Sequence, residues 1–470
     1  MSHQAQSATT MATRDASGPR RRHDIRARAD RLIALIDAAL SKQVCRILHH
    51  PRFRAMEARW RGLGMLLRSS GNSPDVKIRI LPASWAELCR AMERASEFDQ
   101  SQLFELVYSR EFDMPGGEPF GLLVGDYEIG PDMEEGRDAV STLRAIAQVA
   151  AAAFCPFVAA ASPRLIELGS FRELSRLPDL ARPVADPALQ RWRSLRRLED
   201  TRFVGLVAPR VLMRPPYGAD DRRRRDGFGF REEVEVDGAH LNWGNGAFAF
   251  AAVVIGHFVS SGWFADMRGA PQDDRGGGVV PALPAFDSGL ESHGLSRQPA
   301  VEVRLTGLQE KQISEFGLIP VSTTYMASEL VFNSNSSLHQ PERYNNPHAT
   351  QNARISAMVQ YVLCASRFAH FLKVILRDEV GRLADALSIE NRLRNWLGQY
   401  TVGNDNASLS QRRRFPLRLA AVDVAEQPGR AGSFTCQVRL QPHFQLDDVD
   451  TTFQLIAETS AISAPKAARA

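Results

Sequence analysis

The chain has 470 residues, 44% hydrophobic and 24% charged, enough for two or three domains and ordinary for a soluble globular protein. Net charge is +4, but residues 1–68 hold 14 Lys/Arg against 5 Asp/Glu, so this end carries +9 and the remainder −5. Arginine is abundant throughout, with Lys42, Lys77, Lys311, Lys373 and Lys466 as the only lysines, so a basic arm does not by itself point to nucleic acid.

Residues 1–22 offer almost nothing to bury and should be disordered alone. Asp24 is expected to cap a helix carrying Ile25, Leu32, Ile36 and Leu40 on one side, broken at His50-Pro51. A second helix shows Phe53, Met56, Trp60, Leu63 and Leu67 at 3-4-3-4 spacing, a stripe that by default faces a core and otherwise a partner. Val76, Ile78 and Ile80 alternate with Lys77 and Arg79, which predicts a half-buried strand over Val76–Leu81. Trp85–Ser96 reads as helix and Gly116–Pro119 as a turn. The strand Gly121–Tyr127, the helix Ser141–Phe154 and the apolar strand Pro156–Ala161 together predict a βαβ unit and an α/β core. Phe203–Ala208 and Val301–Leu305 read as further strands. Pro215–Phe230 and Arg268–Leu295 are loops, and the polar run Asn333–Pro347 is the expected domain boundary. Gln351–Tyr400 reads as one long amphipathic helix or a helix pair, with a break at Gly381. Three strands follow between Phe415 and Ala457, with turns at Pro428-Gly429 and Asp447-Asp448. In the second of them Phe434, Cys436, Val438 and Leu440 point one way and Thr435, Gln437 and Arg439 the other. So small a meander leaves an edge of unpaired N–H and C=O groups, which invites a strand from another molecule.

The expected organisation is a flexible basic arm and first helix (1–48), an α/β domain (49–345), a C-terminal domain of long helices plus a three-stranded sheet (350–460), and a tail (461–470). The five cysteines are widely spaced with no C-x-x-C pair, which fits small buried side chains of a reducing compartment better than disulfides or zinc ligands. The N-terminus lacks the apolar run of a secretory signal. Residues 145–163 and 242–265 are uncharged, but Pro156 interrupts the first and glycines and serines dilute the second. Both read as buried core elements, so a soluble cytoplasmic protein without membrane insertion is expected.

Chemistry-bearing motifs are sparse. Gly244-x-Gly246-x-x-Ala249, with Asp266 about twenty residues on, matches a dinucleotide fingerprint on paper and supports the alternative of an NAD-binding enzyme. That fingerprint needs a buried parallel strand just upstream, whereas Arg231–His240 is heavily charged; a glycine-rich helix entry in a core explains the same letters. Phosphate-loop, H-E-x-x-H and G-x-S-x-G patterns are absent from the sequence. His49-His50 diverge on a helix with no third ligand nearby, and Glu118 reads as a turn residue. No catalytic, cofactor or metal residue is therefore assigned, and no enzyme activity or cofactor is expected.

The segment H-H-P-R-F-R-A-M-E-A-R-W-R-G-L (His49–Leu63) strongly resembles the opening signature of the large subunit of the type VI secretion contractile sheath, the TssC/VipB/EvpB/ImpC family. The resemblance continues in order through Gly116–Tyr127, Cys155–Pro163, Arg202–Gly218, Trp243–Ala251, Arg367–Val374 and Pro442–Phe444, covering roughly residues 30–460. It implies a multi-domain contractile tail-sheath fold, α/β in its first part, with a phage tail-sheath-like helix-plus-small-sheet domain at the C-terminus. It also implies a structural role in bacteria. Family members pair with a small sheath subunit, and the heterodimers stack as a helical polymer around an inner tube. The polymer joins a baseplate, its contraction drives the tube outward with effectors, and an AAA+ ATPase recycles the contracted sheath. The family's terminal segments exchange strands between neighbours. The candidate pairing surface here is Phe434, Val438, Leu440 and Phe444 with Phe453 and Leu455, although the apolar ones equally suit their own helices.

Overall fold

The computed structural model describes residues 17–459 apart from residues 132, 135–136, 178–179, 181–187, 219–227, 229, 231, 235–237, 239, 271–276, 282, 284–298, 325–328, 381–385, 405–406, 427–433 and 444–452. Arginine and alanine favour helix, and nothing between Pro19 and Leu48 breaks one, so the chain enters a 32-residue helix, α1 (Ser17–Leu48). Pro19 lies in the first turn, where it costs no hydrogen bond. Asp24 is thus inside the helix instead of capping it. Pro51 then opens α2 (Pro51–Ser70).

The chain divides into two compact units, Met1–Arg54 with Pro216–Leu241, and Ala55–Pro215 with Asn242–Ala470. In the first, Cys45 and Leu48 pack with Phe230. Glu232 accepts the Tyr217 N–H at 2.9 Å and bonds His49 Nε2 at 3.3 Å, and the His49 ring stacks on His240 at 4.6 Å between centroids.

The second unit continues with α3 (Trp85–Arg94) and α4 (Gln102–Phe104), which widens into a π-helix over Glu105–Asp113. Next come β1 (Leu123–Ile129), the hairpin β2 (Met133–Glu134) and β3 (Arg137–Asp138), α5 (Ala139–Ala152), β4 (Phe157–Ala161), α6 (Ala188–Arg196), β5 (Val204–Ala208) and β6 (Val211–Arg214). β7 (Asn242–Gly244), α7 (Gly246–Ser261), α8 (Gly307–Glu315), β8 (Ile319–Pro320), β9 (Ser322–Thr323) and β10 (Leu330–Val331) complete this part.

β1, β4, β5 and β8 form a parallel sheet in that order, in register Leu123↔Phe157, Phe157↔Val204 and Val207↔Ile319. The predicted βαβ unit is β1-α5-β4. Asp138 caps α5 by accepting from the N–H groups of Val140 and Ser141, and α5 buries Leu143, Ile146, Ala147 and Ala150 in a core shared with Phe171, Leu174, Trp192 and Leu206. Helix α7 packs against β1, β4 and β5. Its run Gly246–Val254 is buried all round, as an apolar helix without a polar face must be. Ser84 and Glu87 form a reciprocal capping box at the start of α3. Ser84→Ala should cost about 1 kcal/mol of stability, measured as a shift in the urea midpoint.

Two predicted strands differ in the structure. Val76–Leu81 joins no ladder, and Val301–Leu305 is reduced to one antiparallel bridge, Val211↔Val301. The polar run Asn333–Pro347 is an internal strap in its first half. Asn335, Ser337, Leu338 and His339 are buried, Leu338 N–H donates to Val204 O, and the buried Arg196 donates to Leu338 O and Glu315 O. Polar residues were needed here to satisfy backbone groups inside the protein, which imitates a surface linker in sequence.

The region read as one or two helices contains three, α9 (Pro347–Ser356), α10 (Val359–Val380) and α11 (Ala386–Gly398), with Gly381 outside the described residues. After the short α12 (Leu409–Arg414), β11 (Leu417–Glu426), β12 (Phe434–Pro442) and β13 (Phe453–Thr459) form an antiparallel sheet in that order. Both turns predicted between these strands fall outside the described residues. The sheet and helices enclose Cys364, Phe368, Leu372, Leu393, Leu397 and Leu417 together with Trp263, whose ring stacks on Phe368 at 4.3 Å. One helix stretch, Val359–Asp378, is long and apolar enough to cross a membrane, and two thirds of it (67%) is buried inside the protein.

Candidate assembly surfaces

The glycine motif does not build a nucleotide cradle. β7 is a three-residue strand paired antiparallel with β6, and among the described residues no buried parallel strand lies just upstream. A Cβ on Gly244 would lie 2.5 Å from Met213 Cγ, and one on Gly246 would lie 2.6 Å from Val207 Cγ1 and 3.1 Å from Pro209 O. These glycines admit protein atoms, leaving no room for a pyrophosphate. Asn245 caps α7 by accepting from Ala247 N–H at 2.8 Å, while its Nδ2 donates to Gly125 O at 2.9 Å. Ala249 is fully buried. Asp266, the would-be ribose acid, is bound to Arg413 at 2.7 Å. Among the described residues no cluster of three or more His, Cys, Asp or Glu could hold a metal ion. All five cysteines are buried and unbridged, and burial pushes the Cys364 thiol up to about 12, far from a reactive thiolate.

The C-terminal sheet distributes its predicted pairing residues unevenly. β12 is the central strand, bonded to β11 from Glu426↔Phe434 to Leu417↔Pro442 and to β13 from Phe434↔Thr459 to Leu440↔Phe453. Val438 and Leu440 are 2% and 1% exposed and lie in the core with α10 and α11, and Phe434 packs half-buried against it. Their apolar alternation therefore serves their own helices. Phe453 and Leu455 are on β13, an outer strand, and Phe444 lies outside the described residues. On β11 the outer side is covered only at its start, by the Thr401↔Leu417 bridge; among the described residues no further strand pairs with β11 or β13.

Two helices expose large apolar side chains, α1 along the side that carries its apolar residues and α2 along part of the stripe whose default is a core and whose alternative is a partner. On α1, Ile25, Leu32, Leu35 and Ile36 are all more than half exposed. On α2 the buried face is Ala58, Gly62, Met65 and Leu66, while Met56, Trp60 and Leu67 point outward, with Trp60 68% exposed. The inversion has a steric cause. A Cβ on Gly62 would meet Phe248 at 2.4 Å, so the small-residue face of α2 is the one that approaches α7 closely. Monomers rarely leave large apolar patches in water.

The sequence profile of the VipB family, EvpB tail sheath N-terminal domain, matches residues 30–339, and that of the tail sheath gpW/gp25-like domain matches residues 348–459. The chain belongs to the type VI secretion tail sheath family. It is 33% identical over 434 residues to the type VI secretion system sheath protein TssC1 of Pseudomonas aeruginosa, across 91% of this chain and 85% of that relative. In this sheath family member the first profile takes in α2 and the parallel sheet, and the second takes in α9 to α12 and the three-stranded sheet. Family members are structural sheath proteins, which fits the filled glycine motif and the apolar surfaces left open.

Proposed function

We propose that the chain is the large subunit of a contractile sheath, pairing with a small sheath subunit into heterodimers that stack as a cytoplasmic helix around an inner tube. Contraction of that helix propels the tube and its effectors from a baseplate, and an AAA+ ATPase recycles the contracted form. The observation that carries this reading is the match of both tail sheath domains in order along nearly the whole chain. The open apolar faces of α1 and α2 and the outer edges of β11 and β13, which meet no further strand among the described residues, support it.

Strand exchange would use the outer edge of β13, on which Phe453 and Leu455 lie, with Phe434 flanking and Phe444 in the connection before it. Val438 and Leu440 hold the sheet on its helices. A strand added at such an edge gains about five main-chain bonds, each worth roughly 1 kcal/mol net. One link is weak, but a lattice engages several at once and gains by effective concentration. The domain boundaries follow from the same reading: an arm and first helix to residue 48, a first sheath domain over 49–345, a second over 350–460, and a tail.

Co-expression with the small sheath subunit, followed by electron microscopy, tests the proposal. Tubular particles containing both chains are expected. A monodisperse monomer indifferent to that subunit would overturn it.

A further inference from the structure

Residues Val76–Leu81 have the pattern of a strand and lack a sheet. Main-chain bonds occur only at the margins, Val76 N–H to Ser73 O and Ala83 N–H to Leu81 O, and none is formed by the N–H groups of Lys77 through Leu81. The run nevertheless has the two-residue period of an extended chain. Lys77 and Arg79 both reach Glu118, and Arg79 also pairs with Glu111, while Val76 and Ile78 between them are half-buried. Ile80 and Leu81 are 67% and 54% exposed. Side chains fix the run beside β1: Arg79 lies 5.4 Å over the Phe120 ring, and Tyr127 Oη donates to Ala83 O at 2.7 Å. It is therefore anchored by its side chains with its amides unbonded, in the same unit as most of α2.

We propose that Val76–Leu81 becomes a β-strand in the assembled particle by pairing with an extended segment of the partner sheath subunit. This rests on the sheath reading above. Five consecutive idle amide donors flanked by apolar side chains are the signature of a strand awaiting a neighbour. A second copy of the same run fits poorly. Antiparallel self-pairing requires a two-fold axis, which a polar helical lattice lacks. Parallel self-pairing sets Lys77 against Lys77 and Arg79 against Arg79, a like-charge cost. The remaining open edges of this chain, β11 and β13, are already committed to strand exchange in the sheath reading. A partner strand of alternating apolar residues would cover Val76, Ile78 and Ile80.

Hydrogen exchange on wild-type particles co-assembled with the small subunit provides the test. Every second amide within 77–81, on the edge that meets the added strand, should exchange about a hundredfold or more slower than its intrinsic rate. A photo-crosslinking phenylalanine analogue in place of Ile80 should link to the small subunit. Fast exchange within assembled particles, or crosslinks only to another copy of this chain, overturns the proposal alone. Failure of the wild-type chain to form particles with the small subunit removes the sheath reading, and this proposal with it.

Discussion

Gly246→Ala is expected to lower the stability of the protein by about 1–3 kcal/mol, seen as an earlier urea midpoint at unchanged slope. The sign decides between two accounts of the glycine. At the first position of a helix, alanine is intrinsically better than glycine by up to about 1 kcal/mol, so a glycine kept only for turn flexibility would give a more stable variant. Here the added methyl would sit 2.6 Å from Val207 Cγ1 and 3.1 Å from the backbone oxygen of Pro209. The side chain can shift by a few tenths of an ångström; the carbonyl is fixed in the turn between β5 and β6. Overpacking therefore outweighs propensity. The same measurement made with NAD present should show no stabilisation, since a ligand bound at micromolar affinity and present at 100 times its Kd would raise stability by about 2.7 kcal/mol.

What the residues disclose directly is the sheet core. Val158, Ala159, Val204 and Leu206 are apolar on both faces, which only a parallel strand covered on both sides requires, and Asp138 with Ser141 marks where α5 begins. Periodicity also separated the buried face of β12, Cys436, Val438 and Leu440, from its polar one, but could not say whether helices of the same chain or a neighbour covered it. On α2 the predicted stripe divides: Met56, Trp60 and Leu67 face out, while the buried face combines the small Ala58 and Gly62 with Met65 and Leu66. Helical moment counts hydrophobicity; close packing of α2 on α7 selects for smallness at Ala58 and Gly62. The π-helix at Glu105–Asp113, which buries Val107 and Phe112, is not read from the sequence. Val76–Leu81 reads as a strand in the sequence yet joins no ladder; its alternation is met by Lys77 and Arg79 reaching Glu118 while Val76 and Ile78 are half-buried.

Arg214→Met should destabilise the protein by about 3–5 kcal/mol, the largest single effect predicted for the fold. Arg214 is 4% exposed at the end of β6, and its Nε donates to Glu57 Oε1 on α2 at 2.7 Å. Arg61 Nε reaches the same oxygen at 2.8 Å, and Asn242 Nδ2 at the start of β7 donates to Glu57 Oε2 at 2.6 Å. One carboxylate thus ties α2 to both strands of the β6–β7 pair. Burial pushes the Glu57 carboxyl up, but the bonds and charges of Arg214 and then Arg61 outweigh it and hold it below the usual range. A depressed folded pKa contributes stability that is present above the unfolded value and is lost as pH falls through the folded value. Without Arg214, desolvation dominates and the Glu57 pKa rises, so the deficit of the variant is full above that raised value, shrinks as pH falls through it, and vanishes only below the depressed folded value of the wild type. Urea unfolding of the wild type and the variant at pH 7 and pH 4 gives the comparison. A double variant, Arg214→Met with Glu57→Gln, removes both charges and should recover most of the loss, because the cost lies in stranding a buried charge more than in losing the pair.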